Sequence, residues 1–242
     1  MTGMTGMTGV TGGRGRGRGR VVAVVQARMS STRLPGKVLA RLGEHSVLEL
    51  LLRRLGRARE LDEILVATSS DASDDPIESE AQRLSVPVLR GSLTDVLGRY
   101  VQASASVDAD AIVRITADCP LTDPAVVDQV VRAWREGDAE YVTNTLEPRS
   151  YPDGLDVEVI SADALRRADE LADAAEDREH VTPYIRRHPE DFPVIGLHLD
   201  PPHGDVRVTL DTRTDLELLV RLIGMVGPDA TMEDVLEALG RR

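Results

Sequence analysis

Positively charged and hydroxyl side chains are concentrated in one short segment, residues 26–37, whose sequence is QARMSSTRLPGK. The segment overlaps the end of VVAVVQA (residues 21–27), a continuous apolar run that is typical of a strand buried on both faces. Its cations and hydroxyls are Arg28, Arg33, Lys37, Ser30, Ser31 and Thr32. Phosphoryl-type transfer needs such groups because negative charge builds up on the leaving phosphates. The pattern therefore indicates a polyphosphate site after the first strand, and an ordinary basic surface loop is the alternative.

Lysine is almost absent from this chain, which makes its position informative. Of the 29 basic residues, Lys37 is the single lysine and all others are arginine. This bias suggests that a compact ammonium is required at this position, where a planar guanidinium would not serve. The segment is not a Walker A loop, because only Gly36 precedes Lys37 and Val38 follows it. It does not match the dinucleotide-binding G-x-G-x-x-G pattern either.

Two aspartates follow later apolar strands. Asp118 follows the run AIVRITA (residues 111–117), and Asp211 ends the strand predicted at residues 205–210. A carboxylate at such a position is costly unless it binds a cation or is paired. Helix capping is the alternative role for each, but Asp123 and Thr212 are better placed as caps. Asp118 and Asp211 are therefore candidate cation ligands.

Strand and helix patterns alternate along the chain, which predicts an α/β fold with a mostly parallel sheet and helices on both faces. Ligands bind outside the carboxyl ends of the strands in such sheets. The predicted strands are residues 21–27, 64–68, 86–90, 111–117, 139–144, 156–160 and segments near 193–199 and 205–210. The predicted helices are 46–59, 75–84, 94–105, 124–136, 162–174, one containing HVTPYIRR, 212–226 and 231–239.

Composition limits the classes of function. The chain has 242 residues and a formal net charge of −12, which argues against a nucleic-acid partner. No run approaches the ~20 apolar residues of a membrane span, and no secretory signal is recognisable, so we expect no membrane partner and a cytoplasmic location. Cys119 is the one cysteine and is expected to be a packed thiol rather than a reactive one.

The first twenty residues, MTGMTGMTGVTGGRGRGRGR, contain nothing that can form a core. We predict that residues 1–20 are a disordered Gly/Arg-rich extension and that residues 21–242 form a single α/β domain. An RNA-attracting arm and a start codon assigned too far upstream are the alternatives for the extension.

The R-x4-R-L-P-G-K arrangement of residues 28–37 resembles the signature of the cytidylyltransferases that activate acidic sugars, such as CMP-Kdo and CMP-acylneuraminate synthetases. The chain is most similar to the branch named for spore coat polysaccharide biosynthesis proteins, and the resemblance covers roughly residues 21–220. It implies a three-layer, Rossmann-like nucleotide-diphosphosugar transferase fold and a homodimer. It further implies transfer of CMP from CTP to an acidic sugar, with Mg²⁺ as cofactor and release of pyrophosphate. A nonulosonic acid, another 2-keto sugar acid or a phosphonate would all fit as acceptor.

The resemblance also assigns roles to individual residues. It implies nucleotide binding by Ala27, Arg28, Ser30, Arg33, Lys37, Arg90 and Ser92. It implies a catalytic contribution from Arg28, Lys37 and Asp118, with Asp118 and Asp211 as the metal ligands. It implies acceptor binding by Tyr151, Asp156, Glu158 and His180, although a lone histidine on a helix is more often structural.

Two other classes of function remain as alternatives. A GT-A glycosyltransferase shares the α/β core and uses a D-x-D metal motif, which the chain contains at residues 108–110. That motif precedes the fourth strand and so lies at the amino edge of the sheet, away from the predicted site. A non-enzymatic nucleotide-binding or nucleic-acid-associated protein would rest on the Gly/Arg-rich extension alone.

Overall fold

The computed structural model describes residues 19–241. Most of the predicted extension therefore lies outside the described residues. Of that extension only Gly19 and Arg20 are described, and both form hydrogen bonds with residues of the α/β domain. The Arg20 amide donates to Asp110 Oδ2 (2.7 Å), and Arg135 donates to the Gly19 carbonyl (2.8 Å).

The described residues form strands and helices that alternate as the sequence predicts. The strands are β1 (Val21–Gln26), β2 (Arg41–Leu42), β3 (His45–Ser46), β4 (Glu63–Ser69), β5 (Val88–Gly91), β6 (Ala111–Thr116), β7 (Tyr141–Thr143), β8 (Glu158–Ser161) and β9 (Val194–Gly196). The helices are α1 (Val47–Leu55), α2 (Asp75–Arg83), α3 (Val96–Ser106), α4 (Pro124–Glu136), α5 (Ala162–Leu171), α6 (Ala175–His180), α7 (Pro183–Arg187), α8 (Arg213–Val226) and α9 (Met232–Ala238). None of these helices is both long and apolar enough to span a bilayer.

Seven of the strands form one sheet in the order β5-β4-β1-β6-β8-β7-β9. Strand β1 lies between β4 and β6 and is parallel to both, and β5 continues the parallel arrangement. Strand β8 runs antiparallel to β6 and β7, and β9 is parallel to β7. The predicted mostly parallel sheet is confirmed. Short strands β2 and β3 pair separately as a hairpin.

Helices cover both faces of the sheet, which gives three layers. Alternate residues of β1 belong to different cores, because successive side chains of a strand point to opposite faces. Val21, Ala23 and Val25 pack in a large core with residues of α1, α4, α8 and α9. Val22 and Val24 pack in a second core with residues of α3 and α5. The apolar run that indicated a strand buried on both faces therefore has that environment.

Two predicted elements differ from the structure. The segment at residues 205–210 is not a strand, since Arg207 forms only an isolated bridge with Asp153. The predicted helix containing HVTPYIRR is divided into α6 and α7, because the chain turns sharply at Val181 with a φ of 73°. Helix periodicity alone did not reveal this interruption.

Arg54 connects α1 to two distant loops and is only 1% exposed. Its guanidinium donates to the carbonyls of Leu121 and Thr122 (both 3.1 Å), Pro228 (2.8 Å) and Ala230 (2.7 Å). Burial lowers the pKa of Arg54, because desolvation disfavours the charged form. Arg54 was not singled out from the sequence, yet it fixes the loop that follows β6 and Asp118.

Replacing Arg54 by methionine is expected to lower the free energy of unfolding by about 3–5 kcal/mol, because several buried acceptors are left unpaired at about 1–3 kcal/mol each. The four carbonyls would lose their donor, and methionine offers none. Urea unfolding measures the change. Arg53→Met, at an exposed position of the same helix, is the control and should change stability by less than about 0.5 kcal/mol. Equal unfolding midpoints for the two variants would contradict the role given to Arg54.

Candidate active site

The loop between β1 and Lys37 is folded back on itself by hydrogen bonds to Met29. The Met29 carbonyl accepts from the amides of Ser31 (2.9 Å) and Gly36 (3.0 Å). Gly36 adopts a left-handed conformation, with φ of 70°, which glycine enters without the steric cost of a Cβ. The Leu-Pro-Gly sequence before Lys37 thus forms the turn that returns Lys37 to the carboxyl edge of the sheet.

Asp74 anchors this loop to the neighbouring strand and is completely buried. Its Oδ1 accepts the Met29 amide (2.7 Å), and its Oδ2 accepts the amide of Ser69 (3.1 Å) and the Ser69 hydroxyl. Ser69 ends β4, so one carboxylate joins the loop after β1 to the end of the next strand. Asp74 was not among the predicted site residues, because in the sequence it only precedes the helix predicted at residues 75–84.

The Lys37 ammonium lies among three oxygen atoms from two distant segments. Lys37 Nζ is 2.7 Å from Asp118 Oδ2, 3.0 Å from Asp211 Oδ1 and 2.8 Å from the Leu210 carbonyl. The lysine is 9% exposed, so most of its charge is removed from water. The structure thus brings together the single lysine and the two aspartates that the sequence singled out, although Asp118 is 81 residues and Asp211 is 174 residues from Lys37.

Asp118 is ionised because of this lysine. Burial alone would raise the pKa of Asp118, but the charge and hydrogen bond of Lys37 lower it below its usual value, with help from Thr116. Cys119, the next residue, is buried, and burial raises the pKa of its thiol. The thiol is therefore packed and un-ionised, as expected.

Asp211 is held by cations on three sides rather than used as a helix cap. It pairs with Lys37, with Arg33 (2.9 Å) and with Arg207. Thr212 caps α8 in a capping box with Asp215, as the sequence predicted, which leaves the Asp211 carboxylate free for these contacts. Although residues 205–210 are not a strand, the Leu210 amide donates to the Asp118 carbonyl (2.8 Å) and so holds the two aspartates together.

A cleft of about 320 Å³ opens beside this cluster, and we call it the first cleft. The residues that line it come from the end of β1 and the loop after it, from β6 and the loop after it, from the end of α6 and from the segment before α8. They are Gln26, Arg28, Ser31, Thr32, Arg33, Lys37, Val38, Arg114, Thr116, Ala117, Asp118, His180 and Asp211. Four of the charged side chains are cations and two are carboxylates, so the cleft suits an anionic ligand.

His180 reaches the first cleft through a strained turn. The next residue, Val181, is buried and β-branched yet has a φ of 73°, and the Thr182 amide donates to the His180 carbonyl (2.9 Å). A non-glycine residue in such a conformation costs roughly 1–3 kcal/mol and persists only where the surroundings impose it. The turn places His180 in the first cleft and Thr182 in the buried layer behind it.

A second cleft, of about 490 Å³, shares Arg28 with the first. It is lined by Arg28, Ser30, Leu93, Thr94, Asp95, Ala175, Arg178 and Glu179. The segment after β5 therefore reaches the site through Leu93, Thr94 and Asp95. Asp95 also caps α3.

Three residues assigned to nucleotide binding line neither cleft. Arg90 donates to the carbonyls of Ser69 and Asp71 and pairs with Glu78 and Asp75, so its guanidinium is fully engaged elsewhere. Ser92 Oγ accepts the Asp95 amide in the turn before α3. Ala27 is 2% exposed and packs in the core. The position of a residue after a strand shows that it lies near the carboxyl edge of the sheet, but it does not show in which direction a long side chain points.

Three residues assigned to acceptor binding also lie outside both clefts. Tyr151 is 1% exposed, and its hydroxyl donates to Gln129 (3.1 Å). Asp156 forms a two-pronged ion pair with Arg149 (2.6 and 3.0 Å). Glu158 is 4% exposed and is enclosed by side chains from three other segments. Of the four residues in this set, only His180 lines a cleft.

Glu158 lies at the centre of a buried polar cluster behind the first cleft. Its Oε2 pairs with Arg114, and its Oε1 accepts from the hydroxyls of Tyr141 and Thr182. Burial alone would raise the pKa of Glu158, but Arg114 and these hydrogen bonds lower it. Arg114 was not among the predicted site residues, although a charged residue inside the apolar run 111–117 was a signal for it.

The three oxygen atoms around Lys37 Nζ are suitable ligands for a divalent metal ion. They belong to two carboxylates and a carbonyl, the ligand types that Mg²⁺ prefers, and they already enclose a positive charge. Within residues 19–241 no three His, Cys, Asp or Glu side chains converge as a complete metal cage. Two protein carboxylates supplemented by substrate phosphates and waters agree with the usual coordination of Mg²⁺.

Comparison with known proteins decides the family. The sequence profile of the cytidylyltransferase family matches residues 22–235, which is most of the chain. The chain belongs to the cytidylyltransferase family. It is therefore an enzyme, a nucleotidyltransferase, and its sheet and helices form the nucleotide-diphosphosugar transferase fold that the sequence predicted.

Individual relatives agree with this assignment. The cytidylyltransferase is 34% identical over 233 residues to the spore coat polysaccharide biosynthesis protein SpsF of Bacillus subtilis, covering 91% of this chain and 94% of that one. It is 30% identical over 156 residues to a 3-deoxy-manno-octulosonate cytidylyltransferase of Geobacter metallireducens, covering 63% of this chain and 59% of that one. The structure of a cytidylyltransferase from Leptospira borgpetersenii superposes with a TM-score of 0.87 at 32% identity, covering 91% and 94% of the two chains.

Proposed function

We propose that this enzyme transfers CMP from CTP to an acidic sugar or a similar acidic acceptor, with Mg²⁺ as cofactor and release of pyrophosphate. The observation that carries the proposal is the Lys37 ammonium among Asp118, Asp211 and the Leu210 carbonyl, beside a cleft rich in cations. The relation to a 3-deoxy-manno-octulosonate cytidylyltransferase supports an acidic 2-keto sugar as acceptor.

The loop cations are placed to hold the triphosphate. Arg28 and Arg33 line the first cleft together with the hydroxyl-bearing residues Ser31 and Thr32. Arg28 is 45% exposed, and its contact with Glu179 is long (3.6 Å), so it is free to turn towards a ligand. The nucleoside would occupy the second cleft, where Ser30 and Thr94 lie, because Arg28 joins the two clefts.

Asp118 and Asp211 are the residues that would hold Mg²⁺, which when bound supplies positive charge to the phosphates and to the attacking oxygen. Lys37 would then leave the two carboxylates and move towards the phosphates, where its charge stabilises the leaving pyrophosphate. The acceptor oxygen forms a bond to the α-phosphorus as the bond from that phosphorus to the pyrophosphate breaks, and the proton of the acceptor hydroxyl is released to water. His180, which also lines the first cleft, would contact the acceptor.

The glycosyltransferase alternative has no support from its D-x-D motif. Asp110 lies at the amino edge of the sheet and accepts the Arg20 amide (2.7 Å), so it is on the opposite side of the fold from the cleft. The non-enzymatic alternative is wrong, because the chain belongs to an enzyme family. The homodimer and the cytoplasmic location stay predictions, which light scattering and cell fractionation would test.

Pyrophosphate release tests the proposed function. The purified enzyme would be given each of the four ribonucleoside triphosphates with Mg²⁺ and a panel of 2-keto sugar acids, nonulosonic acids and phosphonates. We expect release with CTP and one acceptor, and none after EDTA is added. No release with any acceptor, together with no Mg²⁺-dependent CTP binding by calorimetry, would contradict the proposal.

Replacing Asp74 by alanine is expected to raise the KM for CTP about tenfold, because one lost hydrogen bond to a charged group amounts to about 1.5–3 kcal/mol. The Met29 amide would lose its acceptor, and the loop after β1 would lose this connection to β4. Steady-state kinetics measures the change. Ile77→Val removes a methyl group from the same buried region and is the control for lost stability alone. A KM shift no larger than that of Ile77→Val would show that Asp74 is only structural.

A further inference from the structure

The cations of the first cleft come from two different halves of the sheet. Arg28, Arg33 and Lys37 belong to the loop after β1, on the side where the second cleft continues the site towards Thr94 and Asp95. Arg114 comes from β6, on the side where the sheet continues into β8 and β7. A triphosphate engaged by the loop and a nucleoside in the second cleft would leave Arg114 facing the remaining part of the first cleft.

Strand geometry explains how Arg114 reaches the cleft. Ile112, Arg114 and Thr116 share one face of β6, because side chains alternate along a strand. Ile112 packs in the core formed with α3 and α5, whereas Arg114 and Thr116 lie further along the same face and line the cleft. Gln26 of β1 is the register neighbour of Thr116 and lines the cleft as well.

Glu158 fixes the guanidinium of Arg114 but cannot itself bind a ligand. It contacts Arg114 through one carboxylate oxygen, and the other accepts from Tyr141 and Thr182. The Glu158 side chain is 5% exposed and that of Arg114 is 16% exposed. The carboxylate is therefore saturated, and its role is to hold the arginine in one orientation.

Hydrogen-bonding capacity remains in this wall of the cleft. A guanidinium has five N–H donors, and in the described structure Arg114 uses Nη1 for Glu158 while its buried Nε has no partner. The buried Oε1 of Gln26 also has no partner there. In the described structure Nη2 of Arg114 donates to no protein atom, and Arg114 lines the first cleft, so a ligand there can accept from this guanidinium.

We propose that Arg114, oriented by Glu158, binds the carboxylate of the acceptor and so determines the selectivity of the enzyme for acidic acceptors. This inference rests on the proposed function and deepens it. A planar, pre-oriented guanidinium matches the two oxygen atoms of a carboxylate, and Gln26 offers an acceptor to a hydroxyl of the same molecule. Arg114 is then the positive charge that recognises the acceptor, distinct from those that bind the triphosphate.

The test compares each acid with its own uncharged analogue. The probes are 3-deoxy-manno-octulosonate and N-acetylneuraminate, each with its C1 carboxamide, and kcat/KM is measured from pyrophosphate release at saturating CTP. We expect Arg114→Gln to reduce the preference for acid over carboxamide roughly 10- to 100-fold, the effect of one charge-assisted hydrogen bond. The dissociation constant for Mg²⁺ and CTP should stay within about twofold, and Glu158→Gln should reduce the preference less.

Two further variants separate recognition from structure. Arg186→Gln removes an arginine that bonds Thr145 near the same cluster without lining a cleft, and it should keep the acid preference. Arg114→Lys keeps the charge and should keep part of the preference if the wild-type fold is retained. If Arg114→Gln lowered kcat/KM equally for the acid and its carboxamide, Arg114 would not recognise the carboxylate. That result would leave the proposed function intact. Failure of the wild type to use any acid with CTP would overturn the proposed function, and this inference with it.

Discussion

Replacing Asp118 by asparagine is expected to lower kcat/KM for CTP by about 1,000-fold, the scale of losing a main source of charge stabilisation in the transition state. Asparagine keeps the shape of the side chain and can still accept a hydrogen bond from Lys37, so the fold should survive. It loses the negative charge that a divalent cation needs, and Asp211 alone would remain as a carboxylate. Steady-state kinetics at several Mg²⁺ concentrations measures the loss, and the apparent Mg²⁺ requirement should rise as well.

Asp128→Asn is the matched control for this change. Asp128 is 7% exposed, its Oδ1 accepts the amides of Arg59 (2.8 Å) and Glu60 (2.9 Å), and none of these three residues lines either cleft. The same chemical change there should affect stability and leave kcat/KM within about twofold. If Asp118→Asn kept the wild-type Mg²⁺ dependence and more than a tenth of its activity, the cation would have to bind elsewhere.

Replacing Lys37 by methionine is expected to change two properties in opposite directions. Turnover should fall by about 1,000-fold, because the ammonium that we propose stabilises the leaving pyrophosphate is lost. Binding of Mn²⁺ in the absence of CTP should become roughly tenfold tighter, because no ammonium competes for Asp118, Asp211 and the Leu210 carbonyl. Calorimetry and the electron paramagnetic resonance of free Mn²⁺ measure the second effect without any turnover.

The same variant should be less stable without metal. Asp118 would lose its paired cation, whereas Asp211 keeps Arg33 and Arg207, and the loss costs about 3 kcal/mol. The pKa of Asp118 would rise, because the effect of burial would no longer be opposed by the charge of Lys37. Added Mg²⁺ should reverse much of the decrease in melting temperature. Lys37→Arg keeps a charge but has a larger, planar head, so it should lose turnover without tighter Mn²⁺ binding. Weaker Mn²⁺ binding by Lys37→Met than by the wild type would contradict competition between lysine and metal.

Local patterns were sufficient for most of the fold. The apolar run at residues 21–27 predicted the central strand, and Pro124 after Asp123 predicted the start and the cap of α4, both as found. Thr212 was predicted as the cap of α8, and it is. These predictions succeed because capping and strand burial depend on residues that are neighbours in sequence.

Other features depended on contacts that no local pattern contains. Arg90 was expected at the nucleotide because it follows a strand, yet Asp75 and Glu78 of α2 hold its guanidinium. Tyr151 was expected at the acceptor, yet it packs in the core. A long side chain can pair with any suitable group within its reach. Which groups lie within reach depends on how the helices pack on the sheet. Asp74 was missed for the same reason, since its role appears only when β4 lies beside β1.

The sequence by itself determined the alternation of strands and helices, the family signature around Lys37, and the candidate roles of Lys37, Asp118 and Asp211. Strand order then decided the site: β6 pairs with β1, and the Leu210 amide bonds to the Asp118 carbonyl, so segments far apart in sequence surround one ammonium. Tertiary structure alone also paired Arg114 with Glu158, through the antiparallel contact of β6 and β8. The physical reason is that periodicity and caps act over a few residues, whereas the meeting of buried charges depends on which strands become neighbours.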